Sequence, residues 1–104
     1  MKIEINTETG LCHAQVEGEM TIYTTEKYRE MLLEQCHSRQ GMDLDLANVT
    51  EMDTSGLQLL VALNKDLSKT ARGLRLVNPG DAVRDVLDLT QLAETFLIHA
   101  EEVL

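Results

Sequence analysis

The sequence predicts an α/β domain with the element order ββαβαβαβ, a mixed sheet with three main helices packed on it. Three observations carry that expectation. Apolar residues alternate with period two near the start, take helical spacing in the next stretch, and then alternate again. Strand-like and helix-like segments keep taking turns, which demands crossover connections and hence parallel neighbours. The chain is 104 residues long, enough for one core and one domain, taken as residues 1–104.

The elements follow in order. Ile3 and Ile5 share one face of a strand over Lys2 to Asn6, and Glu8-Thr9-Gly10 is a turn signal. Leu11 to Glu17 alternates again with Cys12, Ala14 and Val16 inward, so the two strands read as a hairpin. Gly18 interrupts the pattern. From Thr24 to Gln40 the spacing is helical, with Tyr28, Met31, Leu32 and Gln35/Cys36 on one stripe. Thr24 or Thr25 is the expected cap and Gly41 the stop. Met42 to Val49 is a strand, expected to be central, with Asp43 and Asp45 on the opposite face from Met42, Leu44 and Leu46.

A second helix is expected from Ser55 to Ala71. Gly56, Leu60, Leu63, Leu67 and Ala71 form its main stripe, and Leu57 with Val61 forms another. Arg72-Gly73 ends it, Leu74 to Val77 is a short strand, and Asn78-Pro79-Gly80 turns the chain. A third helix spans Asp81 to Leu87, with Ala82, Val83, Val86 and Leu87 inward. Phe96-Leu97-Ile98 is a last short strand, and Glu101 to Leu104 is at most one helical turn.

Composition narrows the function. The net charge is −9, from nine basic and eighteen acidic residues. Contacts to nucleic-acid phosphates need clustered Lys and Arg, so no nucleic acid is expected as a partner. An acidic surface instead favours solubility and association with a basic protein face. No stretch reaches the roughly 18–20 apolar residues of a membrane span. The start, Met1 to Asn6, alternates charge and apolarity unlike a signal peptide. The expected compartment is the cytoplasm, without membrane insertion. Cys12 and Cys36 are accordingly expected as buried thiols and not as a disulfide.

Catalytic constellations are weak. Asp43/Asp45 and Glu51/Asp53 are paired carboxylates without a base, a phosphate loop or a metal-ligand set beside them. They read as an edge or solvent face. The pairs Cys12-His13 and Cys36-His37 diverge in either a strand or a helix and lack zinc spacing. His99 stands alone, and Ser55 is not in a nucleophile elbow. No catalytic residue, metal or cofactor is expected, and the protein is not expected to be an enzyme.

The informative stretch is Val49 to Leu60. It reads as a strand end, an acidic turn with two adjacent hydroxyls, and a helix start. Asp53 or Ser55 caps the helix, and Gly56 lets it pack closely on the sheet. Thr54 and Ser55 fall where the first free amides and the helix dipole favour negative charge. A hydroxyl there suits a phosphate acceptor. A phosphate would add about −1.5 to −2 charges beside Glu51 and Asp53 and repel an acidic or apolar partner face.

Asp53-Thr54-Ser55-Gly56-Leu57, preceded by Leu44-Asp45-Leu46 and followed by Leu60-Val61-Ala62-Leu63, resembles the core signature of the STAS domain family, which includes bacterial anti-sigma-factor antagonists. The likeness extends to Glu17-Gly18-Glu19-Met20, to Gly73 through Asn78 and to the Val83-x-x-Val86-Leu87-x-Leu89 helix. The resemblance implies a single STAS-like domain with a four- to five-stranded mixed sheet. It implies phosphorylation at Thr54, with Ser55 as the alternative acceptor, and Asp53 positioning the acceptor or the partner's catalytic apparatus. Partner contacts are expected at Met20, Met52, Asp53, Ser55, Gly56, Leu57 and Val61. The implied partners are an anti-sigma factor that is a serine/threonine kinase of the histidine-kinase-like ATPase fold, bound when Thr54 is unphosphorylated, and a PP2C-type phosphatase.

The sequence departs from the commonest family pattern in two ways. Its acceptor is Thr where Ser is frequent, and the extra methyl narrows the rotamer choice. Its tail is short, so the final family helix is expected to be missing or only begun. The alternative reading is a non-phosphorylated STAS accessory subunit of a transporter ATPase or sensory complex.

Overall fold

The computed structural model describes residues 2–5, 9–35, 40–92 and 96–99, and of 2–5, 35 and 97–99 the backbone alone. The element order is β1 (Lys2–Ile5), β2 (Cys12–Met20), α1 (Thr25–Gln35), β3 (Met42–Met52), α2 (Thr54–Leu67), β4 (Leu74–Val77), α3 (Asp81–Leu89) and β5 (Leu97–His99). Spatial order follows chain order. Three parallel strands, β2, β3 and β4, make the body of the sheet. β5 adds three parallel residues at one edge, and β1 adds four antiparallel ones at the other. All five strands belong to one mixed sheet, but only β2 and β3, of nine and eleven residues, are long, against four, four and three in β1, β4 and β5.

One face of the sheet carries the core. Cys12, Ala14 and Val16 point inward as the alternation requires, beside Leu44, Leu46, Leu74 and Leu76. The helices close that face with Leu32 from α1, Leu57, Leu59, Leu60 and Leu63 from α2, and Val83 and Leu87 from α3. Burying one such aliphatic side chain contributes about 1.5–3 kcal/mol. The other face carries His13, Gln15, Asp45 and Arg75, all at least partly exposed.

Several boundaries move for identifiable reasons. β2 does not stop at Gly18. That residue has φ +79°, and the β2–β3 register shifts beside it, so the glycine marks a bulge and pairing resumes at Glu19 and Met20. β3 likewise runs on to Met52 instead of ending at Val49. Thr24 does not cap α1 with its side chain. Its Oγ1 accepts from the Thr21 amide at 3.0 Å and donates to the Glu19 carbonyl at 2.8 Å. The expected stop of α1 near Gln40 falls on a stretch whose residues 36–39 lie outside the described ones.

α2 begins at Thr54 and ends at Leu67, short of Ala71. Ser68 and Thr70 hydroxyls donate to the Lys65 and Leu67 carbonyls and so satisfy the helix end. α3 continues to Leu89, and β5 occupies Leu97–His99 while Phe96 is buried just before it. The expected turn at 101–104 lies outside the described residues.

Two further expectations are corrected. Cys12 is disulfide-bonded, not a free thiol. Cys36, the chain's other cysteine, lies outside the described residues. A disulfide depends on how closely the fold brings two Cβ atoms, which compartment and separation along the chain leave open. Asp43, read as a solvent-face carboxylate, is only 5% exposed. Arg75 on the neighbouring strand donates to it twice, Nε to Oδ1 at 3.0 Å and Nη2 to Oδ2 at 2.5 Å. His13 and Arg72 lie at 3.7 and 3.9 Å. Cross-strand register sets this up, because His13, Asp43 and Arg75 stand in one row. No helix among the described residues is long and apolar enough to cross a membrane.

Candidate functional site

The site forms where β3 passes into α2. Paired strand ends bring Met20 and Met52 side by side, and the Asp53 amide donates to the Met20 carbonyl at 3.3 Å. Asp53 then leaves helical geometry, with φ −112° and ψ −171°, and caps α2. Its Oδ1 accepts from the Ser55 amide at 2.8 Å and the Gly56 amide at 3.3 Å. Its Oδ2 accepts from the Ile22 amide at 3.0 Å. The carboxylate therefore ties the β2–α1 loop to the start of α2.

Desolvation pushes the Asp53 carboxyl up. The Ile22, Gly56 and Ser55 amides, together with the Ser55 hydroxyl, outweigh it and hold the group below its ordinary value. A carboxylate this fully engaged is a structural strut with a persistent charge.

Thr54 is the first residue of α2 and is exposed. Ser55 is half-buried and lines a groove of about 310 Å³ between α1 and α2, together with Thr25, Arg29 and Gln58. The two adjacent hydroxyls thus face different surroundings. Thr54 is the more exposed of the two.

The structure divides the expected partner contacts. Asp53, Ser55 and Val61 are at least partly exposed. Met20, Met52, Gly56 and Leu57 are buried and form the floor beneath the turn. Gly56 is required there because a Cβ would stand 2.5 Å from the Met20 carbonyl oxygen. Leu57 and Val61 are one helical turn apart, yet Leu57 is 8% exposed and Val61 44%. The presumed apolar stripe is split, because α2 meets the sheet closely at its first turn.

Sequence reasoning missed Ile22 and Tyr23. They sit in the loop Thr21–Thr24, whose Ile22 amide is bound by Asp53. An apolar pair between two threonines, just after a strand, was the available signal. Among the described residues, no group of His, Cys, Asp or Glu is placed to hold a metal ion.

The chain belongs to the STAS domain family, whose model matches residues 2–103. Its relatives include an anti-sigma-B factor antagonist of Staphylococcus epidermidis, 28% identical over 103 residues that make up 98% of this chain and 94% of that protein. The fold is similar to that of the anti-sigma factor antagonist SpoIIAA in its unphosphorylated form, with a TM-score of 0.77, 20% identity, and 97% and 87% of the two chains covered. It is equally similar to an anti-sigma factor antagonist from Mycobacterium paratuberculosis, with a TM-score of 0.77, 24% identity, and coverage of 94% and 84%.

Proposed function

We propose that the protein is a phosphorylation-controlled binding regulator of the anti-sigma-factor-antagonist type. Unmodified, it binds a serine/threonine-kinase anti-sigma factor of the histidine-kinase-like ATPase fold. Phosphorylated on Thr54, it is released, and a PP2C-type phosphatase restores the binding form.

One observation carries the reading: Thr54 is an exposed hydroxyl at the amide end of α2, standing on a buried floor beside a fixed carboxylate. The amide end tolerates a new phosphate locally. The charge of Asp53 persists next to it, so the modified turn presents two like-charged groups to whatever docks there. The relatives named anti-sigma-B factor antagonist support the partner class.

Mass spectrometry after incubation with a cognate kinase-type anti-sigma factor and ATP tests the proposal. One added phosphate is expected, absent from Thr54→Ala. A phosphate on Ser55 alone, or none with any cognate kinase, contradicts it. Unchanged partner binding in Thr54→Ala and Thr54→Glu would favour the accessory-subunit alternative.

A further inference from the structure

The loop Thr21–Thr24 beside the acceptor combines exposure with order. Ile22 is 68% exposed and Tyr23 90%. Apolar side chains on a loop usually fold inward or lie on a loose segment. Here the backbone beneath them is held at three points. Thr21 is buried and its amide donates to Thr24 Oγ1. Thr24 Oγ1 donates to the Glu19 carbonyl, and the Ile22 amide donates to Asp53. An anchor fixed before binding loses little entropy on docking.

The surroundings are acidic. Glu19, Glu26 and Glu51 are exposed, and Asp53 is half-buried. Glu19 and Glu51 stand in register on adjacent strands, and like charges so placed repel. The ion pairs found among the described residues lie at Asp43, with His13, Arg72 and Arg75, and involve none of these glutamates.

We infer that Ile22 and Tyr23 are the apolar anchor of the protein-binding surface, received by an apolar pocket that Lys and Arg rim on the partner. The partner is the kinase-type anti-sigma factor, so the inference rests on the preceding reading. Buried aromatic anchors carry a large share of interface affinity, and the acidic rim steers the encounter with a basic face. Thr54 follows Asp53, the residue that binds this loop, so a phosphate there lands at the edge of the same patch.

Calorimetric titration with the anti-sigma factor that phosphorylates Thr54, in its ADP-bound form, tests this. Tyr23→Ala is expected to raise Kd about tenfold or more and Ile22→Ala by a smaller factor, with unchanged melting temperatures. Glu19→Lys is expected to slow association most at low salt. Leu89→Ala, equally exposed on α3, is expected to leave Kd unchanged. Thr54-sensitive binding that ignores both loop substitutions overturns the inference and spares the reading. A chain that binds no such kinase overturns both. A dimer of the chain alone, lost in Tyr23→Ala, assigns the pair to a second copy and overturns the inference.

Discussion

Asp43 and Asp53 are both well-engaged aspartates on one small domain, and they are held in opposite ways. Asp43 lies under guanidinium groups, with Arg75 bonded to it twice and Arg72 near by. Its charge is cancelled on the spot. Asp53 is held by neutral donors, three backbone amides and the Ser55 hydroxyl. Its charge is stabilised without being cancelled, and it remains at the surface next to Thr54. The first arrangement serves a sheet face. The second sets up a turn whose electrostatic balance one added phosphate can tip.

The floor beneath Asp53 gives the largest expected effect. Leu57→Asp should cost at least about 3 kcal/mol in a denaturant melt, because a charge enters the packed first turn of α2. Val61→Asp, one turn on and exposed, should stay within about 0.5 kcal/mol. Equal effects would erase the distinction between floor and surface. Asp43→Asn comes next. It weakens a charge-assisted pair on a nearly buried group, for an expected loss of about 1–3 kcal/mol in the same melt.

Asp53→Ala should lower stability by less than Leu57→Asp, through the lost helix cap. Its pH dependence separates it from a general packing defect. The folded-state carboxyl is held below its ordinary value of 3.8, so its contribution is complete above that pH and fades as pH falls through the lower folded value. Melts between about pH 2 and 5 should show wild type losing its advantage over Asp53→Ala toward the acid end. Parallel curves would contradict the hydrogen-bond account of the cap.

Much of this was legible in the residues. The inward set Cys12, Ala14 and Val16, a cap at Asp53 or Ser55 and the close approach at Gly56 follow from alternation, side-chain chemistry and size, and the structure selects Asp53. The element order follows from the change of period along the chain. The rest depends on neighbours that lie far away in sequence. Gly18 looks like an end, and only the β3 partner shows it to be a bulge. Asp43 looks solvated until Arg75 stands opposite it on β4. Leu57 looks free to face a partner until α2 is seated on Met20 and Met52. Ile22 and Tyr23 gain meaning only from the bond that joins their loop to Asp53, 31 positions on.

The most direct measurement compares the affinity of unmodified and Thr54-phosphorylated protein for the same kinase-type anti-sigma factor by calorimetry. The account predicts tight binding of the unmodified chain and at least about a hundredfold loss on phosphorylation, a coupling of roughly 2.7 kcal/mol. Equal affinities of the two forms would contradict it.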